Sequence, residues 1–467
     1  MERPVPSNAG ATAPGPLLRF ARRAIDIRAH EMALLGWAWL YVLAVMSSYY
    51  VLRPIRDAMG LEGGVENLQW LFTGTLLAMI AVNPAYAALV RAMPRQRFIA
   101  VAYRFFMLNI LLFAVLMHLA SGPAIVWIGR AFFIWVSVFN LFVVSVFWAL
   151  MVDIFDSEQG KRLFGFLAAG ATVGAITGSG LTASLASGVD TTWLLVIAAV
   201  LLQVAIMSAR RLSRLGAGTG AGGGADAQAV ATTAPAAQPG TAVPAPSDGP
   251  DAPEQAPIGG SVLAGITHTL RSPYLLNISL YILLFTITST FLYFQQAAIV
   301  RDYFPDRSSR TTFFASVDLV VNVSTLAVQL FVTSRFLKIF GVAVTAAILP
   351  AITMLGFVAL AAAPTLAVLV AVQVLRRVGN FGLARPTREL FFTVIPREDK
   401  YKAKSLIDTV VYRAGDQVGS WSYAGLGMLG FGPVGVAIVA VPLSIAWLVN
   451  ALWLGRRQRA LGDRGAR

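Results

Sequence analysis

The chain is 467 residues long, 57% hydrophobic and only 13% charged, with a formal net charge of +14 and a mean hydropathy of +0.69. A soluble domain carries roughly 25% charged residues, so a water-soluble globular protein is excluded. No cysteine is present, which removes disulfide scaffolds, thiolate metal sites and cysteine nucleophiles.

Residues 1–33 form a basic segment. Leu17, Leu18, Phe20, Ile25 and Ile27 interleave with Arg19, Arg22, Arg23 and Arg28, the pattern of a short amphipathic helix on an anionic leaflet or of a basic tail that sets topology. Beyond it, charge-free runs approach the roughly 20 residues that span hydrocarbon. None shows the period of two that a membrane barrel requires. Hydropathy predicts twelve helices, over residues 34–55, 68–90, 99–120, 125–152, 164–187, 191–209, 274–297, 311–334, 342–362, 366–393, 405–428 and 433–455. The expected fold is an all-α polytopic membrane protein.

Residues 34–210 make a first bundle of six helices, 271–456 a second, and 457–467 a basic tail. The intervening 211–270 is rich in Ala, Gly and Pro and lacks aromatics from Gly216 to Pro257, so it reads as a disordered cytoplasmic linker. Within it Gly218, Gly220 and Gly223 fit a dinucleotide-binding spacing, but no strand precedes and no helix follows. Basic residues concentrate on one set of connections: Arg91, Arg95 and Arg97; Lys161 and Arg162; Arg210, Arg211 and Arg214; Arg335 and Lys338; Arg397, Lys400, Lys402 and Lys404. The positive-inside bias then puts both termini in the cytoplasm of a cell bounded by a bacterial-type inner membrane. Arg53 and Arg56, with Arg301, Arg307 and Arg310, break the pattern.

The two bundles are weakly similar. A shift of 241 residues places Ile154 on Ile395, Lys161 on Lys402, Gly174 on Gly415, Gly178 on Gly419 and Ser179 on Ser420. Parallel six-helix repeats are the signature of the major facilitator architecture, two pseudo-symmetric bundles that rock about a central site. Gly170, Gly174 and Gly178, and Gly415 and Gly419, are small-residue stripes for close helix packing.

Charges inside apolar helices mark cavities or partners. Arg376 and Arg377 fall halfway along the tenth helix, followed by Asn380, Arg385, Arg388 and Glu389. The eleventh carries Asp408, Arg413 and Asp416, and the eighth a stripe of Asp318, Asn322, Thr325 and Gln329. In the expected fold the first and fourth helix of each half line the cavity, so the first and tenth helices face one another. Arg53, Arg56, Arg376, Arg377 and Arg413, with Asn380, then form a substrate-binding set, since guanidinium forks onto carboxylate or phosphate oxygens. Asp57, Asp318, Asp416, Glu389, Arg388 and Asp408 are the coupling and gating set. A second reading pairs the arginines with Asp57, Asp416, Glu389 and Asp408 as gates between halves. His30, His118 and His268 are too scattered for a metal site, and no cofactor motif is present.

The stretch Tyr49-Tyr-Val-Leu-Arg-Pro-Ile-Arg-Asp57 resembles the first-helix motif of the ATP/ADP translocase family, a branch related to the major facilitators. Phe147-Trp148 with Lys161-Arg162-Leu-Phe-Gly-Phe-Leu-Ala-Ala-Gly170 resembles its fourth and fifth helices. Arg385-Pro-Thr-Arg388-Glu389 with Lys404-Ser-Leu-Ile-Asp408 resembles its tenth-to-eleventh connection. The resemblance implies nucleotide exchange or uptake, with Arg56 at the position of a phosphate-contacting cation. Arg56 stands where the family usually has lysine, and Val136 stands near the place of its acidic residue on the fourth helix.

The expected function is secondary active transport of a small anionic solute by alternating access, a nucleotide or another anion, as antiport or proton symport. The protein is expected to work in the lipid bilayer as a monomer, without nucleic acid. Alternatives are a drug or lipid exporter of the same fold and a non-transporting membrane sensor or partner-binding protein. Enzyme chemistry is not expected: there is no HExxH, no GxxxxGK[ST] and no nucleophile–histidine arrangement.

Overall fold

The computed structural model describes residues 31–93, 95–218, 269, 272–395, 403–404 and 406–465. The basic N-terminal segment before Glu31 and the linker beyond Gly218 lie outside the described residues, as do His30, His268, Arg397, Lys400 and Lys402.

All the secondary structure described is helical. The first six helices are α1 (Met32–Gly60), α2 (Leu68–Ala92), α3 (Arg95–Leu119), α4 (Pro123–Ile154), α5 (Ser157–Leu185) and α6 (Thr191–Gly218). The second half comprises α7 (Pro273–Tyr303), α8 (Arg307–Phe331), α9 (Thr333–Ala362), α10 (Leu366–Phe391), α11 (Ile407–Met428) and α12 (Pro433–Gly465). Among the described residues, eleven helices are long and apolar enough to cross a membrane. The twelfth of the expected set, α11, is shorter and more polar: a π-turn at Ile407–Val411 leads into 17 residues, Tyr412–Met428, that include Arg413, Asp416 and Gln417. It lies against α7 and α2, and Arg413, Asp416 and Gln417 are half-buried.

Local chemistry sets the ends. Asp156 accepts from the Gln159 amide while the Gln159 side chain accepts from the Asp156 amide, so α5 begins with a polar first turn well before its apolar run. Ser272, Asp306 and Thr365 cap α7, α8 and α10, and Pro123 and Pro273 occupy first turns, where a missing N–H costs nothing. In α9, Gly341 sits at φ +71° and breaks the helix after Phe340, a conformation that side chains with a Cβ rarely adopt.

The halves repeat one another in their packing. In the first, α1 packs on α5 and α6, α3 on α6, and α2 on α4; in the second, α7 packs on α11 and α12, α9 on α12, and α8 on α10. The glycine stripes explain the closest of these contacts. A Cβ on Gly174 would stand 2.6 Å from the Leu43 carbonyl oxygen, and one on Gly419 3.0 Å from Thr290 Cβ. Gly174 and Gly178 seat on residues 43 to 50 of α1, and Gly415 and Gly419 on residues 283 to 290 of α7, so the sequence repeat is also a repeat of contacts.

Between halves, α5 packs on α8 and α2 on α11, a pair of interfaces related by the same two-fold. One apolar cluster there draws Leu61, Leu68 and Phe133 from the first half and Phe294, Phe314 and Ile299 from the second. It closes the bundle at the end where α1 finishes.

Candidate anion site between the two halves

Where α1, α2, α4, α7, α8, α10 and α11 approach the middle of the bundle they line a cavity of about 240 Å³. All six residues of the expected substrate-binding set line it: Arg53, Arg56, Arg376, Arg377, Asn380 and Arg413. Of the expected coupling and gating set, Asp57, Asp318 and Asp416 line it too.

Each charged group reaches the cavity for a local reason. Pro54 lacks an N–H to donate to the turn before it, and Arg53, Arg56 and Asp57 flank it within the continuous helix α1. The Arg56 guanidinium donates twice to Asp57 Oδ1, at 2.7 and 3.0 Å, and Tyr293 of the other half donates to the same oxygen at 3.2 Å. Asp318, only 3% exposed, receives Arg377 at 2.6 Å and Arg53 at 3.3 Å on one carboxylate oxygen. Arg377 comes from its own half and Arg53 from the opposite one. Arg413 reaches Asp416 one turn on at 3.3 Å. Arg376 donates to Ser289 Oγ and, at 3.4 Å, to the Phe285 carbonyl, with its guanidinium 5.3 Å from the Phe285 ring centre.

The ion pairs between halves are not the expected ones. Arg56–Asp57 lies within α1 and Arg413–Asp416 within α11. Arg388–Asp408 (3.5 Å) joins α10 to α11, and Glu389 binds Lys404, all in the second half and outside the cavity. Asp57, Asp416, Glu389 and Asp408 therefore do not bridge guanidinium groups of opposite halves, because each finds a cation on its own or a neighbouring helix first. Among the described residues the cross-half pairs are Arg53–Asp318, Arg307–Glu62 (3.2 Å), Arg310–Glu62 (3.9 Å) and Arg301–Glu66 (3.6 Å). The arginines that broke the charge pattern after α7 thus meet acids of the first half.

The stripe on α8 also divides. Asp318 faces the cavity; Asn322 accepts from Tyr50 and donates to Ser179, both at 3.3 Å; Gln329 donates to the Phe381 carbonyl of α10. Sequence reasoning passed over α7, which contributes Ser289, Tyr293 and Gln296 to the cavity wall. Their spacing of four and three residues is a polar helical stripe, legible once uncharged residues are counted. Gln296 accepts from Gln373 at 2.5 Å, tying α7 to α10. Val136, by contrast, is fully buried in the first half's aromatic core and does not reach the cavity.

Two related sets of six helices around a charged cavity define a multi-pass membrane protein of the major facilitator fold. The structure of an auto-inhibited POT family peptide transporter covers 91% of this chain and 96% of its own, with a TM-score of 0.54 and 14% identity. That of a bacterial homolog to the human lysosomal transporter Spinster covers 93% and 97%, with a TM-score of 0.49 and 13% identity. Among curated proteins the chain is distantly similar to ADP,ATP carrier protein 1 of Chlamydia trachomatis serovar D, 24% identical over 214 residues, 41% of this chain and 40% of the carrier. The carrier of the same name from Chlamydia pneumoniae is 22% identical over 213 residues, 40% of this chain and 41% of its own. The chain spans about two fifths of the length of the curated relatives it matches. No protein-family profile matches it.

Proposed function

We propose that the protein is a secondary transporter that carries a small anion through the central cavity by alternating access. The observation that carries this reading is the charge of the cavity wall: five arginines against three aspartates, with no lysine, histidine or glutamate among the lining residues. Fully ionised, that wall holds an excess of two positive charges in a low-dielectric interior, where an oxyanion is the natural complement. An exporter of apolar drugs or lipids would be served by an apolar cavity, and five guanidinium groups argue against it.

A nucleotide is the first cargo to test, because the Chlamydia relatives are ADP,ATP carriers. Among the described residues, the ion pairs that cross between halves gather mainly where α1 finishes, as Arg307–Glu62, Arg310–Glu62 and Arg301–Glu66, while Thr73–Gln417 and Tyr50–Asn322 cross deeper in the bundle. Arg210, Arg211, Arg335, Lys338, Arg456 and Arg457 lie toward the opposite end, with the start of α1 and the last turns of α12. The positive-inside bias makes that end cytoplasmic, and the closed end then faces out. Asp57, Asp318 and Asp416 are the carboxylates available for proton coupling. The cavity is walled by both halves of one chain, which supports action as a monomer.

The test is uptake by proteoliposomes of labelled ATP, ADP, inorganic phosphate and dicarboxylates, with and without a pH gradient. Saturable uptake of at least one is expected, and Arg53→Ala should remove it. Reconstituted, correctly folded protein that moves none of them would sink the reading.

A further inference from the structure

Four of the five cavity arginines have a carboxylate within ion-pair distance: Arg53 and Arg377 on Asp318, Arg56 on Asp57, and Arg413 on Asp416. Arg376 differs. Among the described residues its partners are neutral: the Ser289 hydroxyl, the Phe285 carbonyl and the Phe285 ring. Ser289 in turn donates to the Phe285 carbonyl at 2.6 Å, so the hydroxyl is fixed as an acceptor for the guanidinium. The residue is only 5% exposed, its Nε is buried without a hydrogen-bond partner, and it lines the cavity.

A guanidinium held by neutral groups away from water is an incomplete arrangement. Its planar fork fits two oxygens of one acid group. Asn380, one turn further along α10, lines the same wall and brings an amide to it. We infer that Arg376 is the seat of the cargo's oxyanion, a carboxylate or phosphate bound with the help of Asn380. The other four arginines, each in contact with a carboxylate although Arg53 and Arg377 share that of Asp318, shape and close the cavity. The assignment rests on the reading that the cavity takes an anion, and it makes a distinction that reading does not: among the described residues, Arg376 alone of the five has no carboxylate within ion-pair distance.

The distinction has a sign that can be measured on the purified full chain in detergent. The midpoint of thermal unfolding, followed by tryptophan fluorescence, is recorded alone and with rising inorganic phosphate or succinate. Wild type should be stabilised by at least one of the two, because an anion that binds only the folded state raises the midpoint. Arg376→Gln and Arg376→Met should match or exceed the wild-type midpoint without anion, since an unmatched buried cation is gone, and both should lose the anion response. Arg376→Lys should keep the response at roughly tenfold higher concentration or more, having charge without the fork. Arg377→Gln should lower the midpoint, because it strips the nearest cation from Asp318.

A lowered midpoint in Arg376→Gln equal to that of Arg377→Gln would overturn the seat. So would an anion response that survives in Arg376→Gln, or a wild type that responds to neither anion. If the pattern holds and the reconstituted protein moves none of the labelled anions, the seat stands and the transport reading falls.

Discussion

The fourth helix of each half holds the same place under the two-fold, yet α4 and α10 are built from opposite materials. The shift that sets Pro123 on Pro364 sets Trp135 on Arg376 and Val136 on Arg377. In α4 the ring of Trp135 lies 5.4 Å from Phe139 and 6.2 Å from Phe132, both stacked, and the helix runs unbroken for 32 residues. In α10 the matching turn carries charge, and a π-turn at Asn380–Ala384 follows immediately. An apolar helix is satisfied by packing alone. A charged one must find partners, and α10 is tied by Arg377 to α8, by Arg388 to α11 and by Gln373 to α7. The first half is thus a packed body with its cavity charges confined to α1, while α8, α10 and α11 bring charge to the cavity from the second. Inserted π-turns frequently mark functional segments, and both π-turns described here fall in the charged half.

Making α4 resemble α10 should have the largest effect. Val136 is 0% exposed among aromatic rings, so Val136→Arg places a cation where no carboxylate waits, and correctly inserted protein should fall to background in membrane fractions. Asp318→Val comes next. It leaves Arg53 and Arg377 facing one another without a counter-ion, and removing one side of a buried pair costs about 3–5 kcal/mol. A lowered unfolding midpoint and lost uptake are expected. Arg377→Val, which gives α10 the residue of α4, should cost less, because Arg53 still reaches Asp318. Combining it with Asp318→Val should recover part of the loss in a double-mutant cycle. Additive effects would mean that the two do not act as a pair.

The glycine stripes sharpen the same contrast at a smaller scale. A Cβ on Gly178 would run into the Ser47 carbonyl oxygen of α1, and backbone cannot rotate away. Its counterpart Gly419 faces Thr290 Cβ at 3.0 Å and Ile287 Cα at 3.1 Å, contacts that a few tenths of an ångström relieve. Gly178→Ala should therefore destabilise by about 1–3 kcal/mol as an overpacked contact, and Gly419→Ala by less. Equal shifts in unfolding midpoint would show that the first half is no more rigidly packed than the second.

Hydropathy and the internal repeat made the helices legible, because the length of an apolar run and its recurrence are properties of the chain itself. The start of α5 at Ser157 was not read, since its first turn is polar and is held by the Asp156–Gln159 box rather than by burial. Many of the residues that converge on the cavity were legible as polar groups out of place in apolar helices: the five arginines, Asp57, Asp318, Asp416 and the amide of Asn380 all line it. Their pairing was not. Which aspartate meets Arg53 depends on the register of α1 against α8, two helices from different halves, and no local pattern records that register. The π-turn at Asn380–Ala384 was equally silent, because Asn-Phe-Gly-Leu-Ala carries no spacing that separates a π-turn from a continuing helix.

The smallest effect concerns how the halves are held together where α1 finishes. Arg307 meets Glu62 with both side chains about a quarter exposed, 26% and 22%. Exposed pairs are worth about 0.2–1 kcal/mol, too little to change the unfolding midpoint visibly. In an equilibrium between closed and open arrangements, however, a loss of about 0.4–1 kcal/mol changes populations by about two- to fivefold. The chain has no cysteine, so Thr75→Cys puts one thiol in the cavity wall of an otherwise silent background. Adding Arg307→Gln should speed its labelling by a membrane-impermeant maleimide applied from the closed end by about that factor, with the midpoint unchanged. An unchanged labelling rate would assign closure to the apolar cluster around Leu61, Phe133 and Phe294 alone. The second half's charges would then matter only inside the cavity and not at its rim.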